Sequence, residues 1–484
     1  MNSFNLRLNL CALVLLLACG ADAQSVRVRY IDNSLATGAI DPQPVKDFLQ
    51  PANGTDDVAD GGALNVLTAK RHQTMVGVGA AFSEIGSLAF LSLPADQQSA
   101  VVKSLFDPGD AAGGGGAGFA ICRLPVGASD FAASAYSYDD KPGDYAMDAF
   151  TLERDEKSMI PVVRRALAVN PSLMLFASPW SPPGWMKPTG RMDHDGKENN
   201  HLIDDPKIYQ AYALYFRKYL QGYLADGIFI SRLCPQNEMD CNPGYPGCVM
   251  PPEQMTKLVG QYLAPELKSA GVKTEIWPGT FRETSKVPWA MECLKDDAFR
   301  AAAVGLGVQY CSGKSVGAIA AAYPTLRFMF TEAGCEDGKN TVRQARIRMG
   351  EMINAFAMGC DSYAYWNMML DENQKSGWGW KQNSLITIDR ATHAVRYNPD
   401  FQPVCLVSHA VRPGDARIES AYQPGKAVRL QVSAAFVRPD GSVTVLTQNI
   451  NDSAVKISID IDSAKTVAVT LPPHSDAAIS VGTR

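Results

Sequence analysis

Two glutamates stand apart from the other acidic residues of this 484-residue chain. An apolar run at 228–235 leads straight into Gln236-Asn237-Glu238, and another at 326–330 leads into Thr331-Glu332-Ala333. A carboxylate at the exit of a buried parallel strand lies where barrel folds keep their chemistry. Two carboxylates converging on one bond can divide the work of breaking a glycosidic link. One gives a proton to the leaving oxygen; the other attacks the anomeric carbon or activates a water that does. The aromatics agree. Trp180, Trp185, Tyr245, Trp366, Trp378 and Trp380 all fall at predicted strand ends or loops. Sugar rings have apolar faces, which rigid aromatic plates cover at low entropic cost.

Other motifs carry less. Asp193-His194-Asp195 has the look of a metal triplet, but no second cluster accompanies it and it reads as a polar loop. Six histidines and no Cys-x-x-Cys pair argue against a zinc framework. The stretch Gly77-Val78-Gly79-Ala80-Ala81-Phe82 lacks the third glycine of a dinucleotide turn. Neither a metal nor a cofactor is therefore expected.

The elements that must position the glutamates follow from hydrophobic periodicity. Short apolar runs at 75–78, 118–125, 173–177, 228–234, 273–277, 305–310, 326–331 and 362–366 alternate with helical patterns such as 206–226 and 344–358. Eight strands alternating with helices predict a (β/α)8 TIM barrel over residues 71–412. Glu238 and Glu332 then leave the fourth and seventh strands, on opposite sides of the barrel mouth. From 413 to 484 the rhythm changes to period two, with Pro439-Asp440-Gly441 as a hairpin turn. This predicts a small antiparallel β-sandwich. The segment 24–70 opens with the alternating SVRVRYID and is expected to join it.

Residues 1–23 read as a signal peptide: Arg7, a short apolar core at 11–18, and Ala21-Asp22-Ala23 before Gln24. The core is too short to span a bilayer, and no later stretch reaches the roughly 18 apolar residues that a membrane helix needs. The expectation is a secreted or periplasmic protein without membrane insertion; a lipoprotein site at Cys19 is the weaker reading. Removing Cys11 and Cys19 leaves nine of 11 cysteines, an odd number. Cys241 and Cys248 bracket a turn-rich loop and are a disulfide candidate suited to an oxidising compartment, with two separate thiols as the other reading. Cys122 and Cys360 lie in apolar runs as core residues. Asn53-Gly54-Thr55 and Asn451-Asp452-Ser453 match the glycosylation pattern. With 46% hydrophobic and 20% charged residues the chain is not disordered. A net charge of −5 gives no general attraction to nucleic acid or anionic membrane and suits a neutral carbohydrate or glycoconjugate substrate.

The ordered set of motifs resembles glycoside hydrolase family 30, which holds glucosylceramidases and endo-β-1,6-glucanases. GVGAAFSEIGSLAFLSL (77–93), CRLPVGASDFAASAYSYDD (122–140) and ASPWSPPGWMKPTG (177–190) are similar to the first three strand regions of that family. PQNEM (235–239) resembles its acid/base motif and FTEAG (330–334) its nucleophile motif. YWN (365–367), WKQN (380–383) and VRPDGSVTVLTQN (437–449) extend the likeness into the β-domain. The resemblance implies a retaining mechanism with Glu238 as acid/base and Glu332 as nucleophile. It places Asn237 on the sugar 2-hydroxyl, Trp180 at the glycone, and Asp130, Trp366 and Asn383 around the same pocket. Glu84 stands where the family has an aspartate that grips the distal hydroxyls. Gln309 and Tyr310 stand where a His-Trp pair is common, Met239 where proline is usual, and DENQKSGWGW (371–380) where a Gly-Gly-Pro-Asn-Trp run is common. These are sugar-gripping positions, so the glycone is open among glucose, fucose, xylose and galactose. The resemblance thus implies a secreted, glucosylceramidase-like retaining β-glycosidase. An endo-β-1,6-glucanase or xylanase is the alternative within the family. A non-catalytic carbohydrate-binding protein is the alternative outside it, and would require loss of one carboxylate.

Overall fold

The computed structural model describes residues 25–33, 45–51, 61–109, 115–193, 200–282, 287–311, 313–425 and 433–482. The expected signal peptide, Asn53-Gly54-Thr55, and His194 and Asp195 of the polar triplet lie outside these residues.

Eight barrel strands appear in the expected order: Gly77–Ala80, Ile121–Pro125, Met174–Ser178, Arg232–Leu233, Glu275–Ile276, Gly305–Gln309, Arg327–Phe330 and Cys360–Tyr365. The second to fifth pair in parallel, as do the sixth to eighth, and the eighth pairs with the first. Single bridges at Ala81 with Arg123 and at Ile276 with Ala303 close the ring. Both faces of such strands are covered, so their sequences run apolar without alternation. Gly79 marks the tightest approach: a Cβ there would stand 1.7 Å from the Ile121 carbonyl oxygen on the next strand.

Ile121, Phe176, Cys234, Trp277, Met329 and Ala364 form one apolar cluster contributed by the barrel strands. Arg232 of the fourth strand lies among them, over the Trp277 ring at 3.9 Å and bonded to both oxygens of Asp361 on the eighth at 3.0 and 2.9 Å. A buried ion pair of this kind serves less to stabilise than to fix which strands meet. The helix Pro206–Ala225 starts at an Asp205 cap with proline in its first turn. The helix Val342–Ala357 starts with a capping box from Thr341 and Gln344.

The β-domain is built from both ends of the chain. Ser25–Asp32 pairs antiparallel with Ser475–Val481, and Gly62–Thr74 pairs with Ala416–Pro424. With Val45–Pro51 and the strands Ser433–Val437, Val443–Asn449, Val455–Ile461 and Lys465–Leu471 they form one nine-stranded sheet. Val26, Val28, Leu64, Val66, Ile457, Ile459, Val467 and Ile479 fill its core. The period-two rhythm is visible in Val455–Ile461, where alternate residues are buried. No helix of the described residues is long and apolar enough to cross a membrane.

Candidate active site

Glu238 follows the fourth strand through a sharp turn. Its own φ is 42°, a conformation that costs a side-chain-bearing residue energy and needs support. That support is a hydrogen bond from its N–H to Thr280 Oγ1 at 3.0 Å. Its carboxyl is almost buried, receives Gln309 Nε2 at 3.2 Å and accepts the Cys241 thiol. Burial, reinforced by the negative charge of Glu332, pushes its pKa up to about 7. A glutamic acid that keeps its proton near neutrality can act as a general acid.

Glu332 follows the seventh strand. Two residues on, Gly334 has φ +86°, and a Cβ there would come within 2.2 Å of the Tyr365 ring, so only glycine allows this turn. Glu332 Oε2 accepts Arg123 Nη1 at 2.5 Å, while Oε1 accepts the Tyr310 hydroxyl at 3.1 Å and the Cys335 thiol at 3.5 Å.

Arg123 organises the centre. It lies fully buried in the second strand and spends its donors on Glu332, the Thr331 carbonyl, Ser178 Oγ and Asn237 Oδ1, the last at 2.7 Å. Asn237 Oδ1 also accepts the Thr280 hydroxyl at 3.2 Å. Two donors on that oxygen fix the amide orientation and leave its NH2 for the pocket. The guanidinium packs against the Trp180 ring at 4.4 Å and the Trp366 ring at 5.6 Å, and these two indoles stack on each other at 4.9 Å. No motif points to Arg123, but a charge inside the apolar run AICRLPV is an anomaly that is costly unless partnered.

Asp130 joins the carboxylates. It is buried, its Oδ1 has no hydrogen-bond partner, and burial together with Glu332 and Glu238 holds its pKa well above the usual range. An unspent buried carboxyl beside Glu238 and Glu332 is suited to a sugar hydroxyl. Gln309 bridges Glu238 and Thr331. Tyr245 meets Trp380 at 4.7 Å, joining the loops after the fourth and eighth strands. Trp185 and Trp378 are spent on the Asp139 carbonyl and Asp193.

Two predicted pocket residues are engaged elsewhere. Both oxygens of Glu84 bond Arg154, and one also accepts the Ala133 N–H, so Glu84 braces the loop that carries Asp130. The fully buried Asn383 holds Asn340 N–H and Asp400. The disulfide expected between Cys241 and Cys248 is absent: both are free thiols. Their side chains have separate surroundings, Cys241 on the Glu238 carboxyl and Cys248 fully buried with its thiol on the Val249 carbonyl. Among the described residues no group of three or more His, Cys, Asp or Glu is placed to hold a metal.

A barrel whose fourth and seventh strands deliver two buried, mutually interacting carboxyls beside stacked indoles has the architecture of a glycoside hydrolase. More narrowly, the chain belongs to glycosyl hydrolase family 30. Residues 75–399 match its TIM-barrel domain and residues 416–478 its β-sandwich domain. An endo-1,6-β-D-glucanase of Trichoderma harzianum is 28% identical over 418 residues, covering 83% of each chain. The lysosomal acid glucosylceramidase of mouse is 26% identical over 437 residues, covering 85% of this chain and 82% of the relative. The crystal structure of SrfJ from Salmonella typhimurium superposes with a TM-score of 0.83 at 23% identity, over 95% of this chain and all of that one. This last likeness bears on the fold alone.

Proposed function

We propose that this chain is a secreted β-glycosidase that hydrolyses by double displacement with retention, acting on β-glucosides or a closely related glycone. The observation that carries the reading is the division of labour in the carboxyl pair: Glu238 is raised to about 7, while Glu332 is held by the buried Arg123. In the first step Glu332 Oε attacks the anomeric carbon as Glu238 passes its proton to the departing oxygen. Asn237 offers its NH2 to the 2-hydroxyl, where the bond strengthens as charge develops. In the second step Glu238, now a base, takes a proton from the water that releases the sugar from Glu332.

The relatives named for glucosylceramide and for β-1,6-glucan support a β-glucosyl unit as the first substrate to try. The apolar segment at 11–18 and the small residues before Gln24 support export. The test is a panel of aryl β-glycosides alongside β-1,6-glucan, with the first-formed anomer read by NMR. Retention is expected, and inversion overturns the mechanism. Glu332→Gln should lower turnover by about four orders of magnitude or more. Wild-type turnover in that variant would remove Glu332 from the nucleophile role.

A further inference from the structure

Lys187 is 2% exposed, and its three hydrogen-bond acceptors are all neutral: the Met192 carbonyl at 2.7 Å, Asn200 Oδ1 at 2.8 Å and the Gly247 carbonyl at 2.8 Å. Burying an ammonium against uncharged partners is unfavourable, and burial pulls the Lys187 pKa down to about 8 even with Cys248 and Asp193 nearby. An apolar side chain would fill the same space without that cost. What the ammonium adds is three donors reaching three points on two loops. Met192 and Asn200 belong to the loop after the third strand, and Gly247 to the loop after the fourth. Asn200 continues the tie through its own Nδ2 to Asn242 Oδ1 at 2.8 Å.

The segment 241–248 is thus pinned at its far end by Lys187. At its near end the Cys241 N–H bonds the Glu238 carbonyl at 2.7 Å, and the Cys241 thiol bonds the Glu238 carboxyl. Between the pins, Pro243, Tyr245, Pro246 and Gly247 form a roof gathered with Trp180, Asn237 and Glu238, leaving no room for a water between them. Tyr245 carries the roof across the mouth to Trp380. The strap lies on the acid side of the pair, whereas Glu332 is held by Arg123 and Tyr310 on other elements.

We propose that Lys187 is a positioning residue for acid catalysis, holding the strap 241–248 so that Cys241 and the roof stay packed on the Glu238 carboxyl. A loosened strap would let water onto Glu238 and cancel the desolvation that keeps its proton in place. Attack by Glu332 would be left intact. The proposal rests on Glu238 being the acid, and leaving-group dependence tests the two separately. A 2,4-dinitrophenyl glycoside departs without a proton; an alkyl glycoside does not.

The experiment compares kcat/KM for both substrates in wild type, Lys187→Met, Asn242→Ala and Glu238→Gln, with folded fraction read by near-UV circular dichroism. Lys187→Met should lose roughly 30-fold or more on the alkyl glycoside and less than about threefold on the dinitrophenyl one, within the range general acids contribute. Asn242→Ala should show the same discrimination at smaller size, and it decides the question where Lys187→Met does not fold. Equal loss on both substrates, or loss on neither, overturns the role of Lys187. If Glu238→Gln itself fails to discriminate, the assignment of the acid falls instead.

Discussion

Arg123 shows how one side chain can serve both halves of a catalytic pair. Nη1 holds Glu332, the proposed nucleophile, and Nη2 holds Asn237, the residue immediately before the proposed acid Glu238. Lysine has no fork with which to hold two partners at once. Arg123→Lys should therefore keep the fold but lower kcat/KM by about 10²–10³, measured on any substrate that the wild type cleaves; a loss below fivefold would deny Arg123 this role. Glu238 makes a second prediction. Its raised pKa means that the catalytic proton is present below about 7 and lost as pH rises through that value. kcat/KM on an alkyl glycoside should fall above neutrality, and a profile flat to pH 9 would be incompatible with this acid. Glu238, Glu332 and Trp180 are singled out by the sequence because each sits at the end of an apolar run, and Asn237 by the family resemblance alone. At the site, Thr280 and Cys241 are not. Their contribution is a meeting between elements, and nothing local in a sequence encodes that distance.

At the scale of elements, three barrel strands end on strained residues. Glu238 after the fourth, Tyr310 after the sixth and Asn367 after the eighth have φ of 42°, 49° and 58°. Left-handed backbone on bulky residues persists only where surroundings enforce it, and such residues gather at active sites. The strand count was readable from periodicity, but the lengths were not. The apolar run expected as a strand from 228 contributes only Arg232–Leu233, because Gly227 at φ 78° and the Ile228 N–H bond to the Tyr223 carbonyl belong to the end of the preceding helix. Apolar periodicity cannot separate a helix terminus from a strand start. That helix also helps form a tyrosine cage. Asp155 accepts the hydroxyls of Tyr136, Tyr138 and Tyr223 at 2.9, 2.6 and 2.6 Å, fully buried between the loop after the second strand and the helix. Asp155→Ala would strand three buried hydroxyls, and chemical denaturation should show a loss of about 3 kcal/mol or more. A loss under 1 kcal/mol would mean that the cage is not a structural pin.

The whole molecule is a barrel inserted into a β-domain, so both ends of the chain and the catalytic unit depend on one another. The alternation in SVRVRYID foretold this, and Ser25–Asp32 lies beside the last strand, Val26 opposite Val481. Gln448 of the β-domain bonds the Arg346 carbonyl on the barrel helix at 2.9 Å, and Gln73 bonds the Phe356 carbonyl at 2.7 Å. Buried carboxyls lie in both parts. Burial raises Asp155 and Asp476 to about 6 and Glu336 to about 7. Each binds its proton more tightly folded than unfolded, where carboxyls titrate near about 4. Their favourable contribution is therefore complete below about 4 and disappears as pH rises through 6 to 7. Asp337 and Glu372 oppose this from the acid side: they are lowered to about 2 by hydrogen bonds from Lys339 and Arg390, so their contribution is lost only as pH falls toward 2. Stability should thus be greatest in mildly acidic solution. By calorimetry, Tm should fall by at least about 5 °C between pH 5.5 and 8.5. Asp476→Asn should flatten that slope, since its amide carries no proton to lose. A Tm that rises over the same interval would show that these carboxyls are not buried as the structure places them.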